Sequence, residues 1–334
     1  MYSALLPFVS RLDAEQAHRW TLRLLNAAYQ LGVLQLLPHG PRTAPIELMG
    51  LSFANRVGLA AGFDKNAVSV DALGMLGFGF IEVGTVTPNA QTGNPRPRVF
   101  RLREAEAVIN RMGFPNEGVA AVCARLRLRR FGGVCGVNIG KNAATPLERA
   151  PEDYAACLTA VYPYADYVAL NVSSPNTVGL RELQSEARLR PLIETVLESR
   201  SRLTAEHGRR VPLLVKLSPD LSDEELRATA SVIADLKVDG VIATNTTVRR
   251  PGVAGLPHAD EAGGLSGSPL FETALATVRK LRAQLGATMP IIGVGGIHSA
   301  QHAREMLAAG ADLLQLYTGF VYRGPRIVRE LRRL

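Results

Sequence analysis

Cysteine is scarce in this chain of 334 residues. The three cysteines, Cys123, Cys135 and Cys157, form no CxxC pair and no metal-ligand spacing. That argues against a disulfide framework and suits a reducing compartment. The six histidines are scattered and no HExxH occurs, so no metal site is expected. No apolar run approaches the roughly 18–20 residues that a membrane-crossing helix needs. The stretch from Met1 to Ser10 lacks a basic start and a long apolar segment, so no signal peptide is expected. Fixed-period repeats and low-complexity tracts are absent as well.

Lysine is the scarcest charge. Of 38 basic residues only five are lysine, and the net charge is +8. The arginines are dispersed and no nucleic-acid-binding motif occurs, so the charge reads as an arginine-biased solvated surface or as attraction to an anionic membrane. Lys65, Lys141 and Lys216 each stand at or just past the end of an apolar, strand-like run. A compact ammonium has been kept where it can serve chemistry.

The chain is long enough for one large domain with an appendage. From residue 46 onward, apolar runs alternate with helix-like stretches, the pattern of a parallel α/β fold. The expected strands are Val57–Ala61, Phe80–Val86, Val134–Ile139, Tyr167–Val172, Leu213–Leu217, Gly240–Thr244, Ile291–Val294 and Leu313–Leu316. Eight strands predict a (β/α)8 barrel over 46–334, with Ile46–Phe53 as a hairpin closing its floor. The clearest helix is Ser222–Leu236, with Ser222 as N-cap and Glu225 three residues on. Long insertions follow strand two (Thr87–Pro115), strand four (Ser173–Glu186) and strand six (Asn245–Ser268), and should rise on the catalytic face.

Residues 1–40 differ from the rest and read as a helical extension. One short apolar helix spans Ala4–Leu12. A second starts at N-cap Asp13, with Gln16 completing a loose capping box, and carries Ala17, Trp20 or Thr21, Leu24, Ala28 and Leu31 at helical spacing. These helices could pack on the barrel or lie in a bilayer interface. Pro38–Pro45 reads as the linker.

The last two expected strands each stop at glycine and lead into a helix, in Pro290–Ile297 and Asp312–Gly319. Loops of this kind at the end of a barrel often hold a phosphate, because glycine lets backbone N–H groups approach an anion. The other strand ends carry Ala61–Lys65, Gly84-Thr85, Asn138, Asn171–Asn176, Lys216 and Thr244–Thr246, joined by Asn110–Phe114. Asparagine dominates. A ring of amides suits a ligand edged with alternating N–H and C=O groups, such as a pyrimidine or a flavin. His298 reads as a helix-cap residue.

Taken in order, AAGFDKN, EVGTVTP, PRPRVFRL, NRMGFPN, NIGKN, NVSSPNTVGLR, VKLSPD, ATNTT, GGLSG, GVGGI and LYTGF resemble the membrane-associated, quinone-linked dihydroorotate dehydrogenases (class 2), from the N-terminal helices to Arg323. Soluble members of that family use cysteine as catalytic base and lack the N-terminal extension, whereas this chain has Ser174 in Asn171-Val-Ser-Ser-Pro-Asn176. The resemblance implies FMN as cofactor, oxidation of dihydroorotate to orotate in pyrimidine synthesis, and ubiquinone or menaquinone as acceptor.

It also implies roles. Ser174 is the base for C5, with Thr177 or a water as relay partner, while hydride leaves C6. Ala61, Gly62, Lys65, Thr85, Asn138, Asn171, Lys216, Thr244, Gly267, Gly296, Tyr317 and Thr318 hold FMN, the last four at its phosphate and Lys216 beside N1/C2. Lys65, Asn110, Arg111, Met112, Gly113, Phe114, Asn171, Asn176, Asn245 and Thr246 hold the substrate. Ser173–Glu186 forms a water-excluding lid. His18 and Arg101 meet the quinone, with Tyr317 near the flavin edge. A monomer attached peripherally to the cytoplasmic face of the cell membrane is expected. Another FMN barrel oxidoreductase, a phosphate-binding barrel lyase or isomerase, and a non-catalytic membrane-surface protein are the rivals. A substrate screen separates the first, absorbance near 450 nm the second, and the polar barrel mouth speaks against the third.

Overall fold

A computed structural model describes residues 13–36 and 44–334. Helix α1 (Ala14–Gln30) comes first, capped by the Asp13 carboxylate, which accepts from the backbone N–H groups of Glu15 and Gln16. The expected helix at Ala4–Leu12 and most of the expected linker lie outside the described residues.

Strands β1 (Ile46–Leu48) and β2 (Leu51–Phe53) form the antiparallel hairpin. Strands β3 (Val57–Leu59) and β4 (Phe80–Val86) open the barrel. The insertion after β4 carries β5 (Val99–Leu102) and β6 (Ala107–Asn110). The barrel resumes with β7 (Val134–Ile139), β8 (Tyr167–Asn171), β9 (Leu213–Leu217) and β10 (Gly240–Ala243). One more inserted strand, β11 (Gly264–Gly267), precedes β12 (Ile291–Val294) and β13 (Leu313–Leu316). The eight barrel strands close in the order β3-β4-β7-β8-β9-β10-β12-β13, with β13 returning to β3, all parallel. Their residues are buried almost throughout, as expected of parallel strands covered on both faces.

Flanking helices α2 (Val70–Gly74), α3 (Val119–Leu126), α4 (Ala150–Val161), α5 (Glu186–His207), α6 (Asp223–Asp235), α7 (Phe271–Leu285), α8 (Ala300–Ala308), α9 (Thr318–Arg323) and α10 (Pro325–Leu331) surround it. The capping box of α6 forms as its spacing predicts: Glu225 N–H donates to Ser222 Oγ at 3.2 Å and Ser222 N–H to Glu225 Oε2 at 2.7 Å.

Large and small side chains alternate inside the barrel. A Cβ on Gly58 would stand 2.3 Å from the Phe80 ring, and one on Gly136 would stand 2.1 Å from the Tyr167 ring. Phe53, from the hairpin, packs edge-on against Phe80 with centroids 5.3 Å apart and plugs the floor. A polar ligand is left only the opposite end, at the carboxyl ends of the strands.

Two features go beyond what the sequence showed. The insertions after strands two and six are not loops alone: β5, β6 and β11 pair into a three-stranded antiparallel sheet above the barrel. β5 and β6 are a local hairpin, but β6 pairs with β11 across more than 150 residues, which local periodicity does not reveal. The apolar stripe of α1 is also split. Ala17 and Leu22 face the protein, while Trp20, Leu24 and Leu31 are exposed. Polar contacts do much of the docking: Asn26 Nδ2 donates to the Val68 carbonyl at 2.8 Å, and Glu15 pairs with Arg96 and Arg98. Continuing through Val33 and Leu36, the outward residues leave an apolar surface in water.

Candidate active site

A cleft opens at the carboxyl ends of the strands. Barrel strands aim the first residue or two beyond their ends into it. Three strands stop earlier than their apolar runs, so that Ala61, Val172 and Thr244 lie just past the strand ends. Ala61, Gly62, Lys65, Thr85, Asn171, Lys216, Thr244, Asn245 and Thr246 line the cleft, and so do Gly296, Tyr317 and Thr318. The inserted sheet supplies Asn110 and Gly267, the loop after β6 supplies Met112, Gly113 and Phe114, and the segment after β8 supplies Ser174 and Asn176.

The floor of the cleft is organised by a group that the sequence reading missed. Glu82, fully buried on β4, accepts from Asn138 Nδ2 at 2.8 Å, Tyr167 Oη at 2.8 Å and Gln315 Nε2 at 2.7 Å. Lys216 Nζ lies 3.9 Å from Glu82 Oε1. Burial pushes the Lys216 ammonium below its usual value, and the Glu82 charge opposes that shift. The network continues upward. Thr85 Oγ1 donates to Asn138 Oδ1 at 2.5 Å, and Asn171 Nδ2 donates to Thr85 Oγ1 at 2.8 Å. Asn245 Nδ2 donates to Asn171 Oδ1 at 3.2 Å and to Ser173 Oγ at 3.0 Å. Asn138 is fully buried, one layer beneath the residues that line the cleft. The signals were a carboxylate inside Ile81-Glu82-Val83 and an amide inside Leu314-Gln315-Leu316, each costly to bury unless partnered.

Ser174 is buried, and its Oγ accepts from the Asn176 N–H at 3.3 Å. Asn176 Nδ2 donates to Asn110 Oδ1 at 3.0 Å, which ties the segment after β8 to the inserted sheet. Arg181 holds the same segment down, donating to the carbonyls of Ser173 at 3.2 Å and Thr246 at 2.9 Å and to Asp220 Oδ2 at 2.8 Å. Thr177 Oγ1, Asn176 Oδ1 and Gln315 Oε1 are buried with no hydrogen-bond partner. Asn176 and Gln315 line the cleft, so each offers an acceptor to a polar ligand.

Lys65 stands at the opposite edge, its Nζ donating to the Gly62 carbonyl at 2.6 Å. Packing around the ammonium lowers it to about 8, while Glu15 partly restores it. The loops after β12 and β13 approach each other closely. Gly296 has φ +69° and a Cβ there would stand 2.6 Å from Phe271 backbone; Gly267 has φ +105° and a Cβ there would stand 2.3 Å from the Glu106 carbonyl. Only glycine fits either position. Ser266, which was not anticipated, shares a 2.8 Å hydrogen bond with Thr318 Oγ1 beside them. His298 is not the cap of α8: Ser299 fills that role, accepting from the His302 N–H at 3.1 Å, while His298 Nδ1 meets the Gly296 carbonyl at 3.1 Å. Lys141 also stays out of the cleft, donating to the carbonyls of Asn142 and Thr145.

Three further expected site residues stand outside the cleft. Arg111 pairs with Glu261 at 2.5 Å and lies 4.6 Å over the Phe100 ring, bracing the inserted sheet. Arg101 is on β5, the strand against which α1 packs. His18 Nε2 meets the Phe63 carbonyl at 2.7 Å, and its ring packs edge-on against Phe63 at 4.8 Å. Burial and the Lys65 charge lower His18 to about 4, so it is neutral at physiological pH. Phe63 in turn contacts Tyr317 at 5.7 Å, and Tyr317 lines the cleft. An aromatic path thus joins α1 to the cleft, through a phenylalanine the sequence reading did not single out. Among the described residues no cluster of three or more His, Cys, Asp or Glu could hold a metal ion, and no helix is long and apolar enough to cross a membrane.

Comparison with known proteins agrees with this layout. The family model described as Dihydroorotate dehydrogenase matches residues 44–333. Proteins named dihydroorotate dehydrogenase (quinone) from Burkholderia pseudomallei (strain 668) and Burkholderia mallei (strain SAVP1) are each 55% identical over 334 residues, covering 99% of this chain and 98% and 97% of theirs. The crystal structure of DHODH from Eimeria tenella in complex with ferulenol is similar with a TM-score of 0.85 and 36% identity, over 96% of this chain and 90% of that one. The ligand-free type from the same organism gives 0.87 and 39%, over 96% and 93%.

Proposed function

The chain belongs to the dihydroorotate dehydrogenase family, and on that premise we propose that its cleft takes dihydroorotate against a bound FMN and passes the electrons to a quinone. The activity is the oxidation of dihydroorotate to orotate in pyrimidine synthesis, by a quinone-linked oxidoreductase. The family is flavin-dependent. The residues present fit FMN. Gln315 Oε1 and Asn176 Oδ1 are acceptors lacking partners, Lys216 is a buried cation, and Gly267, Gly296 and Thr318 edge the end where a phosphate would sit.

When bound, FMN supplies the hydride acceptor. The rest falls to the chain's own side chains. Lys65 receives the carboxylate of dihydroorotate. Asn110, Asn171, Asn176, Asn245 and Thr246 pair with the ring's N–H and C=O groups, which an uncharged donor–acceptor set does without favouring either protonation state. Ser174 Oγ takes the proton from C5 as hydride leaves C6, and the balance is orotate, one proton and one hydride. Among the described residues no carboxylate or imidazole hydrogen-bonds to Ser174, so its proton leaves through a relay, with the unpartnered Thr177 hydroxyl three residues on, or a water, as the partner. Arg181 excludes water by holding the lid. Lys216, held by Glu82, sets positive charge beneath the site where negative charge accumulates.

Electrons leave toward α1, along Phe63 and His18, and ubiquinone or menaquinone would enter beneath its exposed apolar surface. We propose a peripheral monomer at the cytoplasmic face of the cell membrane. What carries the reading is Ser174 standing with four asparagines around a single cleft whose other end is built from glycine loops. The test is to release the chromophore from purified protein by heat and weigh it. The mass of FMN supports the assignment, and a colourless protein or a different flavin refutes it.

A further inference from the structure

Glu15 of α1 stands between two arginines of the insertion after β4. Arg96 donates to it at 2.9 and 3.1 Å, and Arg98 at 2.8 and 2.9 Å. The Arg98 side chain is only 4% exposed and the Glu15 side chain 11%. The same Arg98 guanidinium also donates inward, to the carbonyls of Thr92 at 2.7 Å and Asn94 at 2.8 Å. Asn94 Nδ2 then donates to the carbonyls of Arg111 at 2.9 Å and Asn176 at 3.0 Å. Its backbone N–H donates to the Met112 carbonyl at 2.9 Å. Asn176 N–H reaches Ser174 Oγ, and Met112 and Asn176 line the cleft. A single buried guanidinium therefore touches both the N-terminal helix and the loop that braces the substrate end of the cleft.

We propose that Glu15, acting through Arg98 and Asn94, is a positioning residue for the substrate clamp, so that docking of the N-terminal helix sets the affinity of the cleft for the pyrimidine ring. The proposal rests on the reading that the cleft binds dihydroorotate and orotate. The physical basis is directional. With Glu15 in place, one edge of the guanidinium is fixed, and its remaining N–H can hold the 92–94 turn in one position. Without the carboxylate the guanidinium turns toward water or toward other carbonyls, and the turn loses its anchor. Asn176 then loses the partner of its carbonyl, and the amide facing the ring is no longer pre-set. The helix that covers the electron-acceptor side would in this way tune the donor side.

The experiment is isothermal titration of orotate into the purified flavoprotein, for wild type, Glu15→Gln, Asn94→Ala and the double variant. Glutamine keeps the shape of Glu15 and removes its charge, and Arg98→Lys serves as a second variant that keeps the charge but cannot reach carboxylate and carbonyls together. Each single variant is expected to weaken orotate about fivefold, with the double variant no weaker than Asn94→Ala alone to within about twofold, because both act on one chain of contacts. The limiting rate of flavin reduction by dihydroorotate should stay within about twofold, since no group touching the reacting atoms has changed. Wild-type affinity in Glu15→Gln and Arg98→Lys, or effects that multiply in the double variant, would overturn the proposal. A wild type that binds no orotate overturns the functional reading itself, a different outcome from either of these.

Discussion

Replacing Glu82 with glutamine perturbs the account at its base. Every neighbour of that carboxylate is a donor: Asn138 Nδ2, Tyr167 Oη and Gln315 Nε2 within 2.8 Å, and the Lys216 ammonium at 3.9 Å. An amide would turn one acceptor into a donor facing donors, and would leave Lys216 as a buried cation without its counter-charge. Each hydrogen bond to a charged group contributes on the order of 1.5–3 kcal/mol, and breaking one partner out of a buried pair costs roughly 3–5 kcal/mol. Lys216 is able to shed its proton, which limits the loss, so about 3 kcal/mol at pH 7 is expected from urea unfolding. The pH dependence has a definite sign. The folded Lys216 pKa already lies below its ordinary value of 10.5, and Glu82 is the charge that raises it. Removing Glu82 lowers the folded pKa further, so the unfolded chain binds more protons over a wider window. Stability of the variant should therefore climb with pH below 10.5, starting from a lower pH than the wild type's. A loss under about 1 kcal/mol, or a penalty that does not shrink toward alkaline pH, would refute the assignment of Glu82 as the acceptor that holds the floor together.

Ser174→Ala should retain the flavin and the fold but slow flavin reduction by dihydroorotate about 10²–10⁴-fold in stopped flow, the usual effect of losing a general base; a rate within tenfold of wild type would show that another group takes the C5 proton. Orotate affinity should fall as pH rises through about 8, where the Lys65 ammonium of the free enzyme loses its proton, and titration calorimetry at pH 7 and 9.5 reads the difference. An affinity constant across that range would remove Lys65 from the carboxylate site. Leu24→Glu combined with Leu31→Glu should weaken co-sedimentation with anionic vesicles by tenfold or more. The unfolding midpoint should stay unchanged, because the two side chains are 65% and 80% exposed. Undiminished vesicle binding would mean that another surface meets the membrane.

The barrel was legible because a parallel strand buried on both faces leaves an uninterrupted apolar run. Phe80–Val86, Val134–Ile139 and Leu213–Leu217 have the ends their runs suggested. The loop residues of the cleft were legible for the converse reason: polar side chains directly after such a run can only point at the barrel mouth. Groups that act from inside the strands were not. Glu82 and Gln315 sit at inward positions, where the sequence shows one polar residue among apolar neighbours and says nothing about its partner. The inserted sheet was missed because β6 and β11 pair across some 150 residues, and β11 is only four residues long with glycine at each end. On α1, periodicity found the apolar residues but not which way they face, since Glu15, His18 and Asn26 attach the helix by polar contacts.

The most direct measurement mixes the purified protein anaerobically with dihydroorotate and then with a quinone while absorbance near 450 nm is followed. The account predicts bleaching on the first addition, with orotate formed one for one, and recovery of the band on the second. A chromophore that stays oxidised with dihydroorotate, or that is bleached but not restored by either ubiquinone or menaquinone, would contradict it.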